Sequence, residues 1–175
     1  MASSSNSYDN FLGRILASTA ASTDAYAEVE ILLPQIVAAT QAKGSPLWVP
    51  VLRQVDMQLI GSVSALAADS AIRAGLMLGG ASLFSAVPAT GIADPNCIVD
   101  WSQSFAVTTS GVAMVQHTLS VELPGDGIIV TASALTGFYT ASGTGTGIAV
   151  SYRIWYDFVS MDEMTYMRAL HGMAL

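Results

Sequence analysis

The amino-acid sequence predicts an all-β protein, a mainly antiparallel β-sandwich or barrel. At least six segments alternate apolar and polar residues with a period of two, the pattern of strands with one buried face. Loops rich in Gly and Pro separate these segments, which gives seven or eight strands of about 6–12 residues. The length of 175 residues is that of one domain, and no linker divides it. We therefore expect much less helix than the globular average of about a third.

The first 23 residues are predicted to form a flexible or partner-binding N-terminal arm. Residues 1–10 are polar and Ser-rich, and residues 11–21 have rough helical spacing, which predicts a short helix or an irregular arm. The first residues have neither the basic region nor the apolar core of a secretory signal. We expect this arm, residues 1–23, to extend from the domain, residues 24–175. It should become ordered only against a neighbouring copy, or by exchange with it.

Three strands are predicted in the first half of the domain, and in each the apolar side chains share one face. These side chains are Ala27, Val29, Ile31 and Leu33; Val49, Val51, Val55, Met57 and Leu59; and Ile72, Ala74, Leu76 and Leu78. Pro34 ends or bends the first strand, and Pro50 indicates an edge or the start of the second, because Pro removes a donor from the hydrogen-bond ladder.

Further strands are predicted in the second half, again with one apolar face each. The residues of these faces are Cys97, Val99, Trp101, Phe105 and Val107; Val115, Leu119, Val121 and Leu123; and Ile148, Val150, Tyr152, Ile154, Tyr156 and Phe158. The PGDG sequence at 124–127 has the residues of a tight turn, so residues 112–135 are predicted to form a hairpin. Asp162 is predicted to cap a short C-terminal helix.

Arg53 is a rare charge within a strand, in phase with Val51 and Val55. Two interpretations remain open. A carboxylate from another strand or subunit pairs with the guanidinium, because an unpaired buried charge is strongly unfavourable. Alternatively, the aliphatic stem lies along apolar surface while the charged head reaches solvent.

The composition points to a surface that is covered in the working state. Charged residues make up 11% of the chain, against about 25% in an average soluble domain, and apolar residues make up 52%. Obligate interfaces are depleted in charge in this way. The net charge is −7 and the six basic residues are scattered singly, so no cluster is available to displace counterions from phosphates. Direct nucleic-acid binding is therefore not expected.

No catalytic, cofactor-binding or metal-binding residue is predicted. The two histidines, His117 and His171, are too few for a three-histidine metal site, and His117 is expected in the core or at an interface. Cys97 is the single cysteine and is expected to be a small buried residue. No G-x-S-x-G elbow is present to support a nucleophile. We therefore expect no enzymatic activity.

Two sets of acidic residues could suggest a catalytic or calcium site, but a structural role explains each of them. Glu28 and Glu30 lie about 7 Å apart on one strand face, near the spacing that glycosidases use. Alternating glutamates are nevertheless typical of a solvent-facing strand. Three aspartates could contribute to calcium binding, but no D-x-D-x-D-G loop contains them. They are Asp94, Asp100 and Asp126.

Two further features, the Gly-rich residues 143–147 and a cluster of aromatic residues, are interpreted as structural and not as binding sites. The Gly-rich sequence lacks the Lys and the spacing of a phosphate-binding loop, so it is interpreted as a connecting loop. The aromatic residues favour core and subunit contact over a sugar-stacking platform. They are Trp155, Tyr156, Phe158 and Tyr166.

The layout resembles the single jelly-roll major capsid proteins of tailless icosahedral phages and archaeal viruses that have an internal membrane, the sphaerolipovirus type that includes Thermus phages. The resemblance spans residues 24–170. It is carried by the low charge, the Ser-rich arm without a basic cluster, and the C-terminal run IAVSYRIWYDFVSMDEMTYMRAL at 148–170. It implies a single jelly-roll barrel that assembles with its own copies, alone or with a second capsid protein, around a lipid vesicle.

The expected function is therefore that of a structural capsid protein that self-assembles into an icosahedral virion shell. Its expected location is the virion, after assembly in the host cytoplasm. The alternative is a carbohydrate-binding β-sandwich, such as a lectin or a receptor-binding domain, and an enzyme ranks third. Large apolar interfaces between copies would distinguish a capsid protein, whereas a concave polar and aromatic site on each monomer would distinguish a lectin.

Overall fold

The computed structural model describes residues 13–22, 25–33, 47–60, 70–79, 95–105, 118–125, 127–130, 132–143 and 147–172. These ranges contain nine strands and one helix. The strands are β1 (Gly13–Ser18), β2 (Ala27–Leu32), β3 (Leu47–Ile60), β4 (Ser70–Leu78), β5 (Cys97–Phe105), β6 (Thr118–Glu122), β7 (Ile128–Ile129), β8 (Ala134–Ser142) and β9 (Ala149–Met161). The helix, α1, spans Glu163–Gly172. No helix within these ranges is both long enough and apolar enough to span a membrane.

The strands form two antiparallel sheets. Sheet I has the order β1-β9-β3-β6, and the short β7 pairs with β3 beside β6. Sheet II has the order β2-β8-β4-β5. The chain changes sheet at nearly every step, since β1, β3, β6 and β9 lie in one sheet and β2, β4, β5 and β8 in the other. This is the strand order of a jelly roll, so the predicted fold class is confirmed.

Tyr152 of β9 links the two sheets through the core. Its ring lies over Gly137 of β8, where a Cβ atom would come within 2.6 Å of the ring. Its hydroxyl donates a hydrogen bond of 2.7 Å to the carbonyl of Phe138. Burial raises the pKa of Tyr152, so the hydroxyl stays protonated and remains a donor. Around it lie the predicted apolar faces of three strands, which are confirmed as core by Ile31, Leu33, Ile72, Ala74, Leu76, Ile148, Val150 and Ile154.

A β-bulge in β3 corrects the predicted face of that strand. The register with β9 passes from the Leu52–Tyr156 pair directly to the Gln54–Trp155 pair, so Arg53 is the extra residue. One inserted residue reverses the alternation beyond it. Leu52 therefore shares the core face with Val55, Met57 and Leu59, while Val49 and Val51 face away from this core, together with Gln54.

An ion pair with Asp157 distinguishes the two interpretations of Arg53. A guanidinium nitrogen of Arg53 lies 3.6 Å from a carboxylate oxygen of Asp157 on β9. Both side chains are only partly exposed, at 30% and 18%. The prediction that a carboxylate from another strand meets Arg53 is confirmed.

A second register shift affects Cys97 in β5. Between Leu76 and Met77 the pairing of β4 with β5 steps from Val99 to Cys97. Val99 belongs to the core cluster, whereas Cys97 pairs with Met77 on the opposite face and is half-buried. The prediction that Cys97 shares a face with Val99 and is buried is therefore wrong.

The predicted hairpin at 112–135 is also wrong. Strands β6 and β7 both run antiparallel to β3, with Thr118–Glu122 opposite Gln54–Gln58 and Ile128–Ile129 opposite Val51 and Leu52. The chain therefore continues in one direction through the PGDG sequence. That sequence forms a loop between the two strands, closed by the Gly127 amide donating to the carbonyl of Pro124 at 3.2 Å. The turn residues interrupt a strand, and they do not reverse it.

Strand β1 differs from the short helix or irregular arm predicted for residues 11–21. Gly13–Ser18 pair with Ser151–Tyr156 of β9 in the same chain, and Ile15 and Ala17 pack against the core. Residues 1–12 lie outside the described residues. The C-terminal prediction is confirmed: Asp162 accepts a 2.8 Å hydrogen bond from the Thr165 amide and caps α1.

Candidate interaction surface

The histidines and aspartates that could bind a metal or take part in catalysis do not form one site among the described residues. His117, Asp94 and Asp126 lie outside the described residues, and His171 belongs to α1. Asp100 forms an ion pair with Arg73 at 2.8 Å, so this carboxylate already has a cationic partner. Among the residues that the structure describes, no three His, Cys, Asp or Glu side chains are grouped to hold a metal ion.

The glutamates of β2 lie on the outward face of sheet II, at its edge. Glu28 accepts a 2.6 Å hydrogen bond from the hydroxyl of Tyr26, and Glu30 is exposed. Burial, together with the hydrogen bond and the charge of Glu28, raises the pKa of Tyr26. This geometry is that of a solvent-facing edge strand, as the alternating glutamates predicted.

The aromatic residues of β9 are divided between two faces. Tyr156 packs against the core, and its ring meets that of Phe158 edge-on at a centroid distance of 5.6 Å. Trp155 faces outward, where its indole nitrogen donates a 3.0 Å hydrogen bond to Asp56. These residues therefore do not form one sugar-stacking platform.

Asp56 is the centre of a polar network on the outward face of sheet I. One carboxylate oxygen accepts hydrogen bonds from Gln54 at 2.7 Å and from Ser120 at 2.6 Å. The other accepts from Trp155 and lies 3.9 Å from the guanidinium of Arg153. Burial opposes ionisation, but the three hydrogen bonds and the charge of Arg153 outweigh it and lower the pKa of Asp56. The network joins β3, β6 and β9 on this face.

The outward face of sheet II is buried at its centre. Phe138 and Met77 are each 1% exposed, although both lie on the side away from the core between the sheets. Arg73 lies beside them with its guanidinium 5.9 Å from the centre of the Phe138 ring, and it makes two hydrogen bonds to Asp100, at 2.9 and 2.8 Å. The outward face of sheet II is thus covered within the chain at Phe138 and Met77.

Four large exposed apolar side chains lie toward one end of the sandwich, which we call the α1 end. Of the six such side chains in the described ranges, four are Leu32, exposed by 70%, Trp48 by 53%, Met164 by 65% and Met167 by 44%. The other two are Leu16, on the outward face of sheet I, and Ile60, at the far end of β3.

The strand register places these four residues at the same end. Leu32 pairs with Ala134, where β8 begins. From there β8 runs to Ser142, and β9, which begins at Ala149, runs back on the other sheet with Tyr152 over Gly137. Beyond Tyr152, β9 reaches Ser160, the partner of Trp48, and then α1. The exposed apolar residues of β2, β3 and α1 therefore lie toward the end of the sandwich at which β9 continues into α1.

Comparison with known proteins finds a fold relative and no sequence relative. The chain matches no protein-family model and no curated protein sequence. Among solved structures, it is similar to VP1 of Trichodysplasia spinulosa-associated polyomavirus in complex with 3'-sialyllactose, with a TM-score of 0.50 over 89% of this chain and 96% of that chain. That neighbour is a jelly-roll capsid protein. The two sequences are 8% identical, so the likeness is one of fold alone.

Proposed function

We propose that this protein is a non-enzymatic structural component of a viral shell that self-assembles from copies of the chain. The observation that carries the proposal is the exposure of four large apolar side chains, Leu32, Trp48, Met164 and Met167, toward the α1 end. Jelly rolls also occur in lectins and cupins, so the fold by itself does not select a function. Clustered exposed apolar side chains on a charge-poor domain favour association.

The physical reason is the free energy of removing apolar surface from water. Burial contributes roughly 25 cal/mol per Å² of apolar surface, before the entropy of association is subtracted. Few charges oppose contact between copies, although the net charge of −7 makes them repel one another at low salt. Association beyond a dimer is therefore expected to increase with ionic strength.

The finer assignment follows the sequence resemblance to the sphaerolipovirus type. On that basis the partners are copies of the chain and a second capsid protein, over an internal membrane, and the location is the virion after assembly in the host cytoplasm. The scattered basic residues provide no genome-binding cluster, so no direct nucleic-acid contact is proposed. Residues 1–23 are proposed to contribute to contacts between copies, through β1 or the residues before it.

Sedimentation velocity of the full chain tests the proposal. We expect at least a stable dimer at micromolar concentration. Leu32→Ser should weaken association, because it removes apolar surface from the α1 end. Ile60→Ser is the matched control, since Ile60 is also exposed but lies at the opposite end of β3. A monomer at every protein and salt concentration would contradict the proposal.

Glycan binding is the second candidate, and a specific group of residues favours it. Arg14 pairs across with Trp155 on the outward face of sheet I, and Arg153 lies two residues along the same strand with its side chain 52% exposed. Two guanidinium groups beside an indole suit an anionic sugar, because Arg binds carboxylates in a bidentate manner and aromatic rings stack on sugars. The fold neighbour was solved with 3'-sialyllactose.

Titration with 3'-sialyllactose separates the two candidates. A glycan-binding protein should show a change in Trp155 fluorescence with 3'-sialyllactose, a smaller change with lactose, and a loss of response in Arg153→Ala. Leu32→Ser should leave this response unchanged. No response to either sugar would remove the glycan candidate and leave self-assembly.

A further inference from the structure

Helix α1 exposes Met164 and Met167 to solvent. Met164, Met167 and Arg168 follow the i, i+3, i+4 spacing that places side chains on one helical face, and all three are exposed. A guanidinium nitrogen of Arg168 lies 3.6 Å from the sulfur of Met164, so the cation lies against this stripe. A helix of a globular domain normally turns such a face to its own core. Here the face has no covering element from the described part of the chain.

Strand β2 presents a complementary surface at the same end. Leu32 is 70% exposed, and Glu30 is exposed two residues before it on the same outward face. β2 is an edge strand of sheet II, since its described pairing is with β8 only. Each of the two surfaces therefore combines exposed apolar area with an exposed charge, Arg168 on α1 and Glu30 on β2, and these two charges are opposite.

We propose that α1 of one copy packs on the outward face of β2 of a second copy. In this contact Met164 and Met167 cover the partner's Leu32, and Arg168 pairs with the partner's Glu30. The contact rests on the proposed self-assembly and names the surfaces that produce it. Charge complementarity selects a second copy as the occupant: the chain has only six basic residues, and one of them lies within the exposed apolar stripe of α1.

The association constant of charge variants tests this contact. Arg168→Glu alone should weaken association by about tenfold or more, because it places like charges opposite each other. Glu30→Arg alone should do the same. The double variant Arg168→Glu with Glu30→Arg should recover most of the wild-type association, which no independent effect of the two changes would produce.

A matched control separates this contact from the effect of net charge. Glu122→Arg reverses an exposed glutamate on β6, outside the proposed contact. It should associate within about twofold of the wild type. If Arg168→Glu associates as tightly as the wild type, or if the double variant fails to recover association, the proposed contact is wrong. Self-assembly would still stand in that case. A wild-type monomer overturns both.

Disulfide trapping gives a second test that does not depend on charge. In a Cys97→Ser background, chains with Leu32→Cys and chains with Met164→Cys are mixed and oxidised. The proposed contact predicts a cross-linked dimer in the mixture that contains one chain of each type. Mixed Leu32→Cys and Ile60→Cys chains provide the control. Equal yields of mixed dimer in the two experiments overturn the contact.

Discussion

Gly137 and Tyr152 form a close contact between the two sheets. A Cβ atom on Gly137 would lie 2.6 Å from the Tyr152 ring, which is 1% exposed and is held by the hydrogen bond to Phe138. The ring has no room to retreat, because protein cores are close-packed. The distance between the two sheets at this point therefore depends on Gly137 having no side chain.

We predict that Gly137→Ala lowers the free energy of unfolding by about 1–3 kcal/mol, the usual cost of overpacking a core. Urea denaturation measures the change. In a Tyr152→Leu background the same substitution should cost less, because the smaller side chain frees the space. An equal cost in both backgrounds would show that the contact with the ring is not the cause.

Asp56 makes the stability of the fold sensitive to acid. Its pKa in the folded protein is lowered from 3.8, so the carboxylate network stabilises the fold above that pH and the contribution is lost as the pH falls through the lowered value. Asp56→Asn should cost at most about 1 kcal/mol at neutral pH, because the network is partly solvated. The difference from the wild type should disappear in strong acid.

Denaturation at neutral pH and below pH 3.8 measures this difference. Glu122→Gln is the control, since it neutralises an exposed carboxylate on the neighbouring strand β6. A constant difference between Asp56→Asn and the wild type across the pH range would refute the prediction.

At the scale of elements, the faces of β2, β4 and β9 could be predicted from the sequence because apolar residues recur at every second position there. The face of β3 could not, because a single inserted residue at Arg53 leaves no trace in composition and only the register with β9 reveals it. β1 was missed because Leu16, 62% exposed, falls on the polar side of the alternation and obscures it. The PGDG sequence has the residues of a turn, but sequence does not show which strand lies opposite it.

Helix α1 should depend on its cap, because it has ten residues and exposes much of its described surface. Asp162 accepts hydrogen bonds from the amide and the hydroxyl of Thr165, and these lower the pKa of Asp162. We predict that Asp162→Ala reduces helical circular dichroism and weakens self-association, while the thermal midpoint of the sandwich stays unchanged. Asp162→Asn, which keeps the capping oxygen, should retain both properties. A reduced midpoint in Asp162→Ala would show that α1 supports the sandwich itself.

For the whole molecule, the candidate surface was harder to predict than the fold. Alternation predicted two packed sheets and a charge-poor surface predicted association. Which apolar residues remain exposed depends on tertiary packing: Leu32 and Leu33 are neighbours in the sequence, yet the first is 70% exposed and the second 4%. The absence of a metal or catalytic site remains a prediction for the complete chain.

Two N-terminal deletions separate the arm from the sheet. Removing residues 1–12 should leave the thermal midpoint unchanged and weaken assembly. Removing residues 1–18 also deletes β1, which exposes the edge of β9 and uncovers Tyr156, whose ring now lies over Gly13. We expect that longer deletion to lower the midpoint and to promote aggregation. Differential scanning calorimetry measures the thermal midpoint, and sedimentation measures assembly and aggregation. Identical midpoints for the two variants would show that β1 contributes little to the stability of the fold.

The interruption between β6 and β7 makes the fold a natural scaffold for peptide display. The loop is anchored on both sides by β3, through the Leu123 amide to the carbonyl of Arg53 and the Val130 amide to the carbonyl of Pro50. Gly125 at its tip is exposed, with open space around it. Because the register is fixed independently on either side of the loop, extra residues grafted at Gly125 lengthen the loop without shifting either strand. A foreign epitope placed there would be presented once by every copy of the chain.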